Sequence, residues 1–72
     1  MKGLQEQFLN KLSKHGIAAT FYLINGYQLK GTVRAFDDYT LLIASGGDSQ
    51  MVFKHAVSTI LPHQPVDISV EQ

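Results

Sequence analysis

Apolar residues recur at helical spacing near the start of the chain and then switch to alternation. Leu4, Phe8 and Leu12 are spaced by four, Leu9 widens the stripe, and Gln5, Glu6, Lys11 and Lys14 fill the polar face. This predicts one short amphipathic helix over residues 4–15. Gly16 stands where a helix ends on a left-handed residue. From Ile17 to Ile24 the period is two, with Phe21 and Leu23 on one face and Thr20 and Tyr22 on the other. Asn25-Gly26 follows, a strong hairpin signal, because both residues of a two-residue turn must tolerate positive φ. The return strand runs from Tyr27 to Phe36, and Gly31 in its middle marks a sharp bend or a close backbone approach. Asp37-Asp38 is a second turn, Tyr39 to Ala44 a third strand, and Ser45 to Ser49 an exposed loop. Gln50 to Lys54 and Val57 to Leu61 are the fourth and fifth strands, and Pro62 stops the last. Residues 63–72 are polar and turn-rich without a period, so a flexible C-terminal tail is expected after a domain of residues 1–62.

One helix followed by five short strands with tight turns implies a mainly β fold, a small and strongly bent antiparallel barrel. The fourth and fifth strands read as its edges. They carry Met51, Phe53, Ile60 and Leu61, which protect poorly against edge pairing. At 72 residues and 8.0 kDa, a lone chain buries only about 60% of its unfolded surface. Small domains compensate with disulfides, metals or partner subunits. Cysteine is absent, and His15, His55 and His63 fit no common metal-ligand spacing. Self-association by strand addition, closing into a ring, is the compensation left.

Charge narrows the function. Six basic and six acidic side chains cancel, and the isoelectric point is about 6.8. A generic polybasic nucleic-acid binder is therefore excluded, and any anion must be met by locally placed charge. Hydrophobic content of 44% against 17% charged is a globular balance rather than a disordered one. The near-apolar run Ile17 to Ile24 is too short to span a bilayer. Met1-Lys2-Gly3 leads into polar residues rather than an apolar signal core, so a cytoplasmic protein without membrane attachment is expected. No catalytic site is expected. Asp37-Asp38 sits in a turn, where a carboxylate caps backbone. Ser58 lies three residues from His55 without a third group to orient them, and no glycine loop precedes a helix to cradle phosphate. No cofactor is implied. A small barrel can also bind peptides, with Tyr22, Tyr27 and Tyr39 lining a groove for proline-rich segments.

Two segments are more specific. The first is Tyr22-Leu23-Ile24-Asn25-Gly26 followed by Leu29, Gly31 and Phe36-Asp37. The second runs Gln50-Met51-Val52-Phe53-Lys54-His55-Ala56-Val57-Ser58-Thr59 to Pro62. With the helical Leu4-Gln5 and Phe8-Leu9-Asn10, they resemble the Hfq family of bacterial Sm-like RNA chaperones over roughly residues 4–62. The resemblance implies an Sm-like, SH3-type five-stranded barrel under an N-terminal helix, assembled as a homohexameric ring. It also implies two faces for single-stranded RNA, on which small regulatory RNA and mRNA are helped to pair. On the helix-bearing pore face it implies Gln5, Tyr39, Lys54 and His55, for uridine-rich RNA. The chemistry agrees. A flat ring stacks an unpaired base for about 1–3 kcal/mol, Lys54 and His55 donate to carbonyls or phosphate, and Gln5 both donates and accepts. On the opposite face it implies Tyr22, Asn25, Gly26, Tyr27, Gln28, Leu29, Lys30, Gln50 and Thr59, for adenine- or purine-rich RNA. On the lateral rim it implies Asn10 and Lys14.

Plainer roles stand beside these. Lys54 can be a solvated strand-end lysine, His55 a turn cap, and Tyr39 a packing residue beside Leu41 and Ile43. Tyr22 and Tyr27 can form a cross-turn pair that stabilises the hairpin. The chain also departs from the family pattern. Tyr27 replaces a branched aliphatic residue, Lys30 a glutamine, and Glu6 an aspartate, and the Ser45–Ser49 loop is one residue longer. Ser13-Lys14-His15-Gly16 replaces an arginine cluster on the rim, so weak annealing through the rim is expected.

Overall fold

The computed structural model describes residues 3–68. One helix, α1 (Leu4–Lys14), precedes five strands: β1 (Ala19–Leu23), β2 (Gln28–Phe36), β3 (Thr40–Ser45), β4 (Asp48–Phe53) and β5 (Val57–Pro62). The sheet order is β4-β3-β2-β1-β5, with every pair antiparallel. β4 and β5 are thus the two edges, as the pattern predicts.

α1 ends where the glycine signal places it. Gly16 has φ 60°, its N–H donates to the Ser13 carbonyl at 3.4 Å, and the Ile17 N–H donates to the Leu12 carbonyl at 3.0 Å. These are the paired bonds of a Schellman stop. The two residues they join, Leu12 and Ile17, are both buried in the core. Burial on the helix is narrower than its apolar stripe. Leu9 and Leu12 are buried, whereas Leu4 remains 61% exposed because the first turn overhangs an open cleft against β5.

The core joins Leu9, Leu12 and Ile17 to Ala19 and Phe21 of β1, Val33 of β2, and Leu41 and Ile43 of β3. Leu23, expected on the Phe21 face, is only half-buried and stands outside it. Thr20 is the buried polar residue, its hydroxyl bonded to His63 Nε2 at 2.8 Å. The sheet closes on itself because β2 serves two partners. Residues Gln28 to Gly31 pair with β1, and Thr32 to Phe36 pair with β3. The bend falls at Gly31, where a Cβ would overlap the Ala44 carbonyl oxygen.

Three local expectations change. The β1–β2 hairpin has a three-residue loop, Ile24 to Gly26, closed by Leu23 N–H on the Tyr27 carbonyl at 2.9 Å. Gly26 alone takes positive φ, at 95°, and no non-glycine residue does so among the described residues. A left-handed glycine closing a three-residue loop is the other common hairpin solution, and it leaves Asn25 free to accept from Tyr27 N–H at 3.0 Å. The loop expected over Ser45–Ser49 is a tight turn instead. Ser45 pairs with Asp48 and Ala44 with Ser49, leaving only Gly46 and Gly47 between strands. Lys54 is not the end of β4; Lys54–Ala56 forms a 3-10 turn before β5. The expected tail starts against the domain. His63 N–H donates to the Ala18 carbonyl at 2.9 Å and Val66 packs on the core. Residues 69–72 of that tail lie outside the described residues.

Candidate nucleic-acid interface

The β2–β3 turn organises the first cluster. Asp37 Oδ1 accepts from Tyr39 N–H at 2.9 Å, Thr40 N–H at 2.8 Å and the Thr40 hydroxyl at 2.7 Å. The Thr40 hydroxyl, then the Tyr39 and Thr40 amides, hold the carboxyl below the ordinary aspartate range, and the Lys54 charge adds least. Asp37 therefore caps backbone, as its turn position predicts. The same turn leaves the Tyr39 ring 76% exposed, so it is not a packing residue beside Leu41 and Ile43.

Tyr39 and Lys54 are joined through backbone. The Lys54 N–H donates to the Tyr39 carbonyl at 2.8 Å, and the 3-10 turn begins there. Lys54 Nζ stands 5.4 Å from the centroid of the Phe36 ring, a cation–π distance. His55 lies on Phe53, with ring centroids 5.6 Å apart and planes 14° from parallel. Lys54 and Gln5 share the wall of a bowl of about 280 Å³ with Gly3, Glu6, Phe36, Asp37 and Asp38. They also reach an adjoining cleft of about 430 Å³ between the start of α1 and β5. Gln5 and Lys54 thus share one wall, Tyr39 is tied to Lys54 through backbone with its ring outside both clefts, and His55 lies on its own stack.

Sequence reasoning did not include Glu6 or Asp38 in this cluster. The Asp37-Asp38 pair is visible in the chain, but only the fold sets that turn against the first turn of α1.

The opposite-face residues fall into three groups. Register aligns Gln28, Tyr22 and Thr59 in one row across β2, β1 and β5. Cross-strand partners share a face, so a half-buried tyrosine lies between two exposed polar side chains. Lys30 is two residues along on the same face, opposite Thr20. Because Tyr22 lies opposite Gln28, it is not the direct cross-turn partner of Tyr27. Asn25, Gly26 and Tyr27 form the exposed hairpin tip. Leu29 lies opposite Phe21 and packs against the core, so its side chain serves the interior. Gln50 is on β4 opposite Ile43, at the far edge of the sheet from Thr59. A single protomer does not bring Gln50 to the Tyr22 row.

On the rim, Lys14 is exposed and Asn10 half-buried. A third cleft, of about 240 Å³, lies between the end of α1, at Lys11 and His15, and residues 64–67. Among the described residues no cluster of three or more His, Cys, Asp or Glu is placed to hold a metal. No helix among them is long and apolar enough to cross a membrane.

Known proteins are similar to this chain in sequence and in fold. The Hfq protein family model matches residues 4–67. "RNA-binding protein Hfq" of Alkaliphilus oremlandii is 54% identical over 66 residues, covering 92% of this chain and 82% of that protein. The protein of the same name from Brevibacillus brevis is 48% identical over 69 residues, covering 96% and 87%. Among solved structures, the crystal structure of "the pleiotropic translational regulator, Hfq" superposes with a TM-score of 0.80 at 29% identity, over 82% of this chain and 98% of that one. With a family model spanning nearly the whole described chain, and relatives that share about half its residues over more than four fifths of their length, the chain belongs to the Hfq family.

Proposed function

We propose that the protein is an RNA-binding chaperone that acts as a homohexameric ring. It takes single-stranded uridine-rich RNA at the Gln5–Tyr39–Lys54–His55 face and purine-rich RNA at the Tyr22 face. Pairing of small regulatory RNA with mRNA would follow from holding both on one ring. The observation that carries this reading is the backbone bond between Tyr39 and Lys54. It couples an exposed aromatic platform to a cation and, through the bowl, to Gln5. Stacking plus a few donors and acceptors is how unpaired bases are gripped.

Assembly is supported by the two open edges. Met51 and Phe53 of β4 are 67% and 54% exposed. β5 borders the apolar cleft lined by Leu4, Phe8 and Leu9. Addition of one protomer's β4 to the next protomer's β5 would cover both. It would also carry Gln50 to the side of Thr59, completing a row that one chain leaves open.

A peptide-adaptor reading gains no support. Tyr22, Tyr27 and Tyr39 sit on a strand, a hairpin tip and a separate turn, and none of them lines the three clefts described above. The rim, with Lys14 and no arginine in the Ser13–Gly16 stretch, offers a weak field for annealing.

Titration with oligo-U and oligo-A at two salt concentrations, with native mass measured alongside, tests the reading. The expected result is a hexamer that binds both, with affinity falling as salt rises. Lys54→Ala should weaken oligo-U binding and spare oligo-A. Equal loss on both would break the assignment of two faces, and a monomer indifferent to RNA would end the proposal.

A further inference from the structure

Thr20 lies on the same side of β1 as Tyr22, two residues along, yet it is buried. Lys30 and Leu61 stand directly opposite it on β2 and β5. His63 lies over it, with the ring held at the hydroxyl by the 2.8 Å bond to Nε2. Past Pro62 the chain keeps its place beside β1, since His63 N–H donates to the Ala18 carbonyl at 2.9 Å. The alternation of Thr59, Leu61 and His63 therefore continues on the Tyr22 face. A residue that the chain pattern assigns to the tail thus joins that face, and it is exposed there.

We infer that His63, with Lys30, forms a binding site for an RNA backbone phosphate on the Tyr22 face. The inference rests on the RNA-binding reading of that face and deepens it. Among the described residues the Thr20 hydroxyl has no hydrogen-bond partner except His63. A buried hydroxyl proton needs an acceptor, so Thr20 donates to Nε2 and the ring proton sits on Nδ1. His63 thus offers a donor whose placement is fixed before any ligand arrives. Lys30, directly opposite Thr20, has its Cβ about 5 Å from that of Thr20. Its four-carbon stem brings a second donor, with a full charge, to the same place. Neither group accepts. Base edges mix donors with acceptors, whereas a phosphodiester offers acceptors and negative charge, so the pair suits the backbone. No acidic residue of β1, β2 or β5 opposes an anion there. The nearest acid along the chain from His63, Asp67, lines the separate cleft with Lys11 and His15. Two residues of strand cover about 7 Å, close to one nucleotide step of an extended chain. A base stacked on Tyr22 thus sets a neighbouring phosphate at Lys30 and His63.

The test titrates three labelled probes onto the full chain by fluorescence anisotropy: oligo-A, alternating adenosine and guanosine of the same length, and a short oligo-U. His63→Ala should weaken both purine probes by a common factor of about tenfold, the loss of one hydrogen bond to a charged group, and leave oligo-U unchanged. Lys30→Ala should weaken both and flatten the salt dependence, by about 0.7 in slope for each phosphate given up. His63→Gln and His63→Glu both keep an acceptor for Thr20, so both keep the chain end in place, but only glutamine also donates. The glutamine variant should recover most of the lost affinity and the glutamate variant none. That pair decides the matter even if His63→Ala loosens the fold, which circular dichroism and native mass would reveal. Equal purine affinity of the two variants would overturn the inference. So would a loss confined to one purine probe, which would mark a base contact. Tyr22→Ala separates the inference from the reading beneath it. If Tyr22→Ala weakens oligo-A while the His63 variants all bind as wild type, the inference alone fails. If Tyr22→Ala changes nothing, the reading of the face fails and the inference falls with it.

Discussion

Replacing Gly31 by alanine tests how the sheet closes. β2 is a nine-residue strand that changes partner in its middle, from β1 up to Gly31 to β3 from Thr32 onward. A methyl group on Gly31 would overlap the Ala44 carbonyl oxygen and come within 3.0 Å of both the Ala44 carbonyl carbon and Ile43 Cγ2. Neither neighbour can swing aside, since one is backbone in a paired strand and the other belongs to a fully buried side chain. Relief requires β3 to move away from β2, which loosens Thr32 against Ala44 and Val33 against Ile43. Overpacking of this kind costs about 1–3 kcal/mol, and a weakened ladder bond adds about 1 kcal/mol. A domain of this length has about 4–11 kcal/mol in total. A loss of about 2–4 kcal/mol should lower the melting temperature by about 10–30 °C. Circular dichroism melts at fixed protomer concentration measure it, since the proposed assembly would couple to folding. Gly47→Ala is the control. A Cβ there meets nothing within 4 Å and its φ is not left-handed, so stability should change by about 0.5 kcal/mol or less. Should Gly31→Ala melt within about 3 °C of wild type, a difference smaller than 1 kcal/mol in so small a domain, the bend would not depend on the missing side chain.

Two further outcomes concern the turn and the edge. Asp37 is held below its ordinary value of 3.8 by its turn donors, so its contribution is fully present above that pH and is lost as pH falls through the lower folded value. Asp37→Asn should therefore be less stable than wild type near neutrality, and the gap should close in melts taken at successively lower pH. A gap independent of pH would show that the ionised form contributes nothing. Met51→Glu places a charge on the open edge strand β4, where charge opposes strand pairing. Native mass should shift from ring towards protomer at low concentration, and a fully retained ring would place the subunit contact elsewhere.

Much of this architecture is legible in the chain because local chemistry sets it. The spacing of Leu9 and Leu12, the stop at Gly16 and the alternation around Phe21 each need only near neighbours, and each element forms where they place it. Bounds and turns are less legible. Asn25-Gly26 is compatible with a two-residue or a three-residue loop, and the choice depends on which residue pairs with Tyr27. The glycine pair at 46–47 reads as a loose loop unless Ala44 is known to face Ser49. The candidate site is legible by residue type but not by grouping. Gln5 and Lys54 are far apart in the chain and meet only at the bowl, and Tyr39 is tied to Lys54 only by the backbone bond where the 3-10 turn begins. Leu29 and Gln50 show the converse, one turned to the core and the other left at a distant edge. The bond between Thr20 and His63 spans 43 residues, and no local pattern announces it.

Net neutrality also looks different once the charges have places. The bowl sets three carboxylates against one lysine. The strands β1, β2 and β5, which build the Tyr22 face, contain Lys30 and Arg34 and no acidic residue. Sixfold repetition would multiply that contrast without changing the total. On the proposed reading, RNA on the Tyr22 face gains from phosphate contact and counterion release. RNA at the pore meets a repulsive field, overcome only by stacking on Tyr39 and by hydrogen bonds to base edges. The pore site would then be the more selective of the two and the Tyr22 face the more adhesive, a division of labour that a uniformly basic ring could not have. The zero in the charge count thus does not argue against RNA. On the proposed reading it would include one face that attracts the backbone and one that selects by base, with the remaining charges elsewhere.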